Sequence, residues 1–377
     1  MELEAPRTAP ATTAPAAREI VDLTACRALF ALWVFAYHVN LHVQFAGALG
    51  WFRGIVTHGY LGVDGFFILS GLILARVDRG AGVATGNVLR FWGKRLARIY
   101  PVHFAVIVLL AALYLGGVAA GITPRDPARF ATGALVANLA LVQSWGVLHH
   151  LAWNYPSWSI STEWIGYLAF PFAMAGLMMM DVMIIITILP LCLFTLTFVA
   201  FLFHGLNLTY AWSLLRFVPE FAAGMATSAL VPYLADELPT VWFAVAGAAL
   251  AALFAASGHD AMTVFGLWLM LYGLAMHADA ERRPLIGNIG PLHALGVISY
   301  AFYMSFAVAE LVTAQLFRRE HLSALAHGAQ FAGVMTVITL ALAIVLHVVI
   351  EKPFRTVFTR RLDPERAAAL ADGSVPL

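Results

Sequence analysis

Few residues of this chain could do chemistry, and they stand out because their surroundings are apolar. The stretch LTACRALFALWVFAYHVNLHV carries Arg27 and His38. At about 100° per residue their offset comes within about 20° of three full turns, so one helix face presents both, roughly 16–17 Å apart along the axis. Arg27 suits phosphate, because a guanidinium is always charged and donates hydrogen bonds in pairs. His38 suits proton transfer, because an imidazole in water titrates near neutrality. Such a pair fits a long ligand with a phosphate-bearing head and a reactive far end. The structural alternatives are an Arg27 that reaches for lipid headgroups and a His38 that bonds a neighbouring helix. His42, one turn beyond His38, is spaced to share a metal ion with it, but no carboxylate lies nearby at ligand spacing, so no metal is expected.

Three further stretches follow. GYLGVDGFFILSGLILAR holds Gly62, Gly65, Ser70 and Gly71, small residues that let membrane helices approach closely. It also holds Asp64, which could orient His38 as a carboxylate orients a catalytic imidazole, or could simply bond or cap a helix end. RFWGKRLARIYP places Arg95 and Arg98 three apart on one helix face, with Lys94 four from Arg98. That cluster could bind a polyanion or contact lipid headgroups. WNYPSWSISTEWIGYLAFPF sets Glu163 a little inside an apolar run, as a catalytic group or as the partner of an arginine. There Trp158 and Trp164 read as interface anchors, and Ser159 and Ser161 as caps of the following helix. The two cysteines, Cys26 and Cys192, lie inside apolar segments and support neither a disulfide framework nor a zinc site.

The elements that must position these residues are helices in a bilayer. Of 377 residues, 61% are hydrophobic and 11% charged, against about 25% charged in a soluble protein. A transmembrane helix needs roughly 20 apolar residues, so the expected fold is an all-α, polytopic transmembrane bundle of about ten spans plus a re-entrant segment. A net charge of +1 argues against nucleic-acid binding. Eleven apolar candidates lie near 23–43, 60–77, 101–118, 131–148, 160–180, 182–202, 217–232, 241–257, 262–277, 295–317 and 329–350, of which 131–148 and 217–232 are the weak ones. Residues 1–18 read as a disordered tail, 19–356 as the membrane domain and 357–377 as a loose polar tail. Arg76, Arg79, Arg90, Lys94, Arg95 and Arg98 place the loop after the second candidate in the cytoplasm, and both termini with it.

Taken together, these stretches resemble the integral-membrane acyltransferase family 3. Arg27 and His38 match that family's Arg-x10-His signature. Gly62 to Gly71 match its GVD-x-FF-x-LSG stretch. Arg95, Arg98, Ile99 and Pro101 match its R-x-x-RI-x-P, and Trp158 to Glu163 its WSLS-x-E. Ile298, Ser299, Tyr300 and Tyr303 look like its ISY-x-x-Y helix, and Glu351 and Pro353 like its terminal E-x-P. The match runs from about 20 to 356. There are departures. Tyr303-Met304-Ser305-Phe306 stands where many relatives read Y-L-W-H, a cysteine precedes Arg27, and no hydrolase-like domain follows the last helix.

The resemblance implies transfer of an acyl group, most often acetyl, from acyl-CoA to a hydroxyl of a carbohydrate or lipid-linked glycan. His38, Asp64 and Glu163 would be catalytic and Arg27, Arg95 and Arg98 would hold the coenzyme. The implied setting is a bacterial inner membrane, with proteins of polysaccharide biosynthesis as candidate partners. The rival reading is a proton-coupled transporter that uses His38, Asp64 and Glu163 as a relay; the internal repeats usual in transporters are absent from the sequence.

Overall fold

A backbone in hydrocarbon must satisfy its own hydrogen bonds, and an apolar chain of this kind does so by forming helices. The computed structural model describes residues 20–78, 85–122, 126–234, 240–280, 282–317 and 325–362. These residues form fourteen α-helices and no strand: α1 (Val21–Val43), α2 (Arg53–Thr57), α3 (Gly62–Val77), α4 (Thr85–Ala119), α5 (Thr132–Leu139), α6 (Trp158–Met178), α7 (Val182–Phe203), α8 (Ser213–Leu234), α9 (Thr240–Ser257), α10 (Asp260–Asp279), α11 (Gly290–Met304), α12 (Phe306–Leu316), α13 (Leu325–Leu346) and α14 (Lys352–Leu362). Among the described residues seven segments are long and apolar enough to cross a bilayer, or eight if the bent α11–α12 pair is one span. The chain is a polytopic helical bundle.

Counted by apolar length alone, the spans are fewer than the expected ten. Helices α1 and α6, at 23 and 21 residues, are long enough to cross but are not among the apolar seven, because the polar residues of the candidate site sit on them. The two weak candidates part company. The stretch 131–148 keeps only the 8-residue α5 and then turns irregularly, with positive φ at Leu141 and Gly146. The stretch 217–232 belongs to the 22-residue α8. The polar segment after Arg355, expected to be loose, is helical to Leu362, which packs on Gly93 of α4 and accepts a hydrogen bond from Arg90. Residues 1–18 and 363–377 of the expected tails, and Arg79, lie outside the described residues.

Helices α1 and α3 divide the interior between two apolar clusters. One side of α1 (Val34, Phe35) and of α3 (Val63, Phe67) packs toward α6 and α11–α13. The other (Leu23, Phe30; Ile68, Leu72) packs toward α7 and α10. The glycines of the α3 motif make these crossings close. A Cβ on Gly62 or Gly65 would strike the backbone or ring of Phe30 on α1. One on Gly71 would strike the carbonyl of Phe221 on α8, and α8 answers with Gly224 against Ile68.

Candidate active site

Four helices bring their polar residues to one cavity of about 100 Å³. Arg27 enters from α1, Ser70 from α3, Arg95 and Arg98 from α4, and Ser159 and Glu163 from α6, with Ser299 and Tyr300 of α11 closing it. Residues read from four separate stretches of sequence thus meet. Glu163 accepts hydrogen bonds from Ser70 and, at 2.7 Å, from Tyr167 Oη. The Tyr300 hydroxyl donates to the Ile99 carbonyl. Arg95 pairs with Asp78, yet its Nε, like Ser299 Oγ, is buried without a partner. Unsatisfied buried polar groups are costly. Here two of them line a cavity with three guanidinium groups, a donor set that fits the phosphates of a polyanionic ligand.

The second polar centre lies farther along α1. His38 Nδ1 is 3.2 Å from Tyr155 Oη, and the Tyr155 hydroxyl donates to Glu310 Oε2. His42 Nε2 lies 3.2 Å from the other oxygen of Glu310. A tyrosine has one proton to give, and here it goes to the carboxylate. Tyr155 must therefore accept from His38 Nδ1–H, which leaves the lone pair of His38 on Nε2, where a base needs it. One face of the imidazole packs on Phe306, with ring centroids 5.6 Å apart. Phe306 in turn packs on Tyr303, which lines the arginine cavity, at 5.3 Å. Glu310 reaches this centre because α11 and α12 meet at 66°. At the bend Ser305 Oγ donates to the Ala301 carbonyl four residues back, a bond that weakens the helix ladder locally.

Asp64 does not orient His38. Both its oxygens take Arg216 of α8, from Nε at 3.0 Å and from Nη2. Arg216 is wholly buried over the Trp158 ring, 5.3 Å from its centroid, and also donates to the backbone carbonyls of Leu208 and Tyr60. A carboxylate buried among apolar helices takes the cation that packing brings to it. Trp158 is accordingly a core residue under a guanidinium, not an interface anchor. Neither serine caps α6: Ser159 Oγ lies 3.2 Å from the Pro156 carbonyl and 3.3 Å from Tyr303 Oη, and Ser161 Oγ donates to the Leu141 carbonyl, which ties down the irregular turn after α5. Glu163 belongs to the arginine cavity. No hydrogen bond or ion pair of the described residues joins any two of His38, Asp64 and Glu163 directly. No group of three or more His, Cys, Asp or Glu among the described residues is arranged to hold a metal.

The family model of the acyltransferase domain of acyltransferase family 3 matches residues 20–348. The chain belongs to that family. Among curated relatives, Acyltransferase MdmB of Streptomyces mycarofaciens is 37% identical over 164 residues, 42% of this chain and 40% of the relative. A putative O-acetyltransferase of Staphylococcus aureus is 27% identical over 43% of this chain and 26% of its own length. Peptidoglycan O-acetyltransferase OatA of Listeria monocytogenes is 24% identical over 42% of this chain and 25% of its own. The alignments thus span well under half of each relative. No solved structure matches.

Three residues of these centres carry no role in the reading of the sequence: Tyr155, Arg216 and Glu310. The two charged ones had a signal. Glu310 lies inside the apolar candidate 295–317 and Arg216 at the edge of 217–232, and an ionisable residue at membrane depth is a functional candidate by default. Tyr155 had none, since a tyrosine near a helix start is ordinary.

Proposed function

We propose that this family member transfers an acyl group, acetyl in the first instance, from acyl-CoA to a hydroxyl of a carbohydrate or lipid-linked glycan. The observation that carries this reading is the division of α1. Arg27 shares a cavity with Arg95 and Arg98 near one end, and His38, with Nε2 free to accept a proton, stands three turns farther on. The names of the relatives, an acyltransferase and a peptidoglycan O-acetyltransferase, support the reaction class and a glycan acceptor. In this reading the arginines hold the coenzyme phosphates and the pantetheine arm runs along α1. His38 Nε2 takes the proton of the acceptor hydroxyl as its oxygen bonds to the thioester carbonyl carbon. The carbon–sulfur bond then breaks, and the imidazolium returns the proton to the leaving thiolate. Tyr155 and Glu310 hold the imidazole tautomer, and Glu163 holds Ser70 at the donor cavity. The enzyme sits in the cytoplasmic membrane of a bacterium, with the arginine cavity and both termini facing the cytoplasm and polysaccharide-biosynthesis proteins supplying the acceptor.

The test is acetyl-CoA binding to the purified protein in detergent. Wild type and His38→Ala are expected to bind alike, and Arg27→Ala at least tenfold more weakly, the worth of a charge-assisted phosphate contact. No binding by wild type, or equal binding by all three, would overturn the assignment of the donor site.

A further inference from the structure

Acyl transfer leaves Glu220 unused. Glu220, on the first half of α8, is wholly buried beside the Asp64–Arg216 pair. None of the hydrogen bonds of Arg216 goes to it: Nε and Nη2 are on Asp64, and one hydrogen of Nη1 is on the Leu208 carbonyl. No N–H or hydroxyl donor of the described residues reaches either oxygen of Glu220, and its polar neighbour is the carboxylate of Asp64, with which it can share a hydrogen bond only while it carries a proton itself. One guanidinium neutralises one of the two carboxylates, and the other needs a proton or a second cation.

Glu220 also lines a cavity of about 240 Å³ between α7, α8 and α10, whose other walls are apolar, among them Cys192, Leu193, Ala223, Phe265 and Trp268. An apolar cavity of about 150 Å³ takes up benzene, so this one has room for a larger body. Its rim reaches Pro190, an exposed residue midway along α7, the 22-residue apolar helix at the edge of the bundle. A mouth at that depth faces the hydrocarbon of the bilayer, and whatever enters must dissolve there.

We propose that the α7–α8–α10 cavity binds a lipophilic amine, an apolar body with one protonatable nitrogen, and that Glu220 is its anchor. The neutral amine enters from the bilayer and takes the proton of the Glu220 carboxyl, which leaves an ammonium beside a carboxylate and both carboxylates of the cluster with a cation. An alcohol of the same shape fills the cavity but leaves the charge count unchanged, which is why the site selects nitrogen. The proposal is independent of the acyl-transfer reading.

The test uses the full chain in lipid nanodiscs and a diazirine-bearing alkylamine, with the matching alcohol as control, followed by peptide mapping of the photolabelled sites. The amine is expected to label α7, α8 and α10 about tenfold more than the alcohol, in line with a hydrogen bond to a charged group. Excess octylamine should displace it and octanol should not. Glu220→Gln should bring amine labelling down to the level of the alcohol. Equal labelling by amine and alcohol in wild type overturns the proposal without recourse to any variant. So does full amine labelling of Glu220→Gln.

Discussion

At the scale of single residues, the decisive feature is a proton count. Tyr155 gives its hydrogen to Glu310, so it can only accept from His38, and the imidazole is presented with Nε2 free. His38→Ala is expected to abolish transfer while the protein still inserts and purifies as wild type; full activity in that variant would remove His38 from the mechanism. In the proposed mechanism Glu310 acts through Tyr155, to which it is hydrogen-bonded, as a positioning residue. Glu310→Gln keeps an acceptor for the tyrosine but loses the charge, and should lower kcat by about tenfold or more, within the usual worth of an oriented base. The KM for acyl-CoA should not move if the arginine cavity holds the coenzyme as proposed, because Glu310 does not line that cavity. A raised KM with kcat intact would instead make Glu310 part of the donor site.

At the scale of elements, two devices position the site. The first is the α3–α8 crossing, brought together by Gly71 and Gly224 and locked by Asp64 and Arg216. Arg216→Ala leaves a buried carboxylate without a cation and should cost about 3–5 kcal/mol. The double replacement Asp64→Leu with Arg216→Met should recover most of it, since a buried pair can often be exchanged for apolar side chains of like volume. Thermal unfolding in detergent reads both, and an Arg216→Ala protein as stable as wild type would show that the pair is not structural. The second device is the bend at Ser305, which swings α12 so that Glu310 meets Tyr155 while Phe306 packs between Tyr303 and His38. Phe306→Ala opens a gap between the arginine cavity and the imidazole. Its signature should be uncoupling: acyl-CoA hydrolysed to free thiol rises relative to acyl group delivered to the acceptor, as water gains entry. An unchanged ratio would mean that Phe306 excludes nothing.

At the scale of the whole molecule, α1 and α6 hold Arg27, His38 and Glu163 and fall outside the seven long apolar segments, while α7, α9 and α13 present apolar faces outward. With the arginine cavity cytoplasmic, single cysteines introduced at Arg90 and Arg355 should react with an impermeant thiol reagent only from the cytoplasmic side, and one at Trp51 only from the other. Labelling of Trp51→Cys and Arg90→Cys from the same side would refute that orientation. The sequence alone determined that the chain is helical and membrane-bound, that Arg27 and His38 share a face, and that the α3 glycines mark close crossings. Each of these rests on composition or on the 3.6-residue period, which act within one segment. It also singled out residues that line one cavity: Arg27 and Glu163 as charges in apolar runs, Arg95 and Arg98 as a basic cluster, and Ser70 as a small residue of a close crossing. It did not reveal who pairs with whom. Asp64 and Arg216 stand 152 positions apart, His38 and Tyr155 117, and Tyr155 and Glu310 155. Which side chains meet across helices depends on the rotation and crossing angle of each helix and on the bend at Ser305. Those are set jointly by every residue at the interfaces, so they exist only in the tertiary structure.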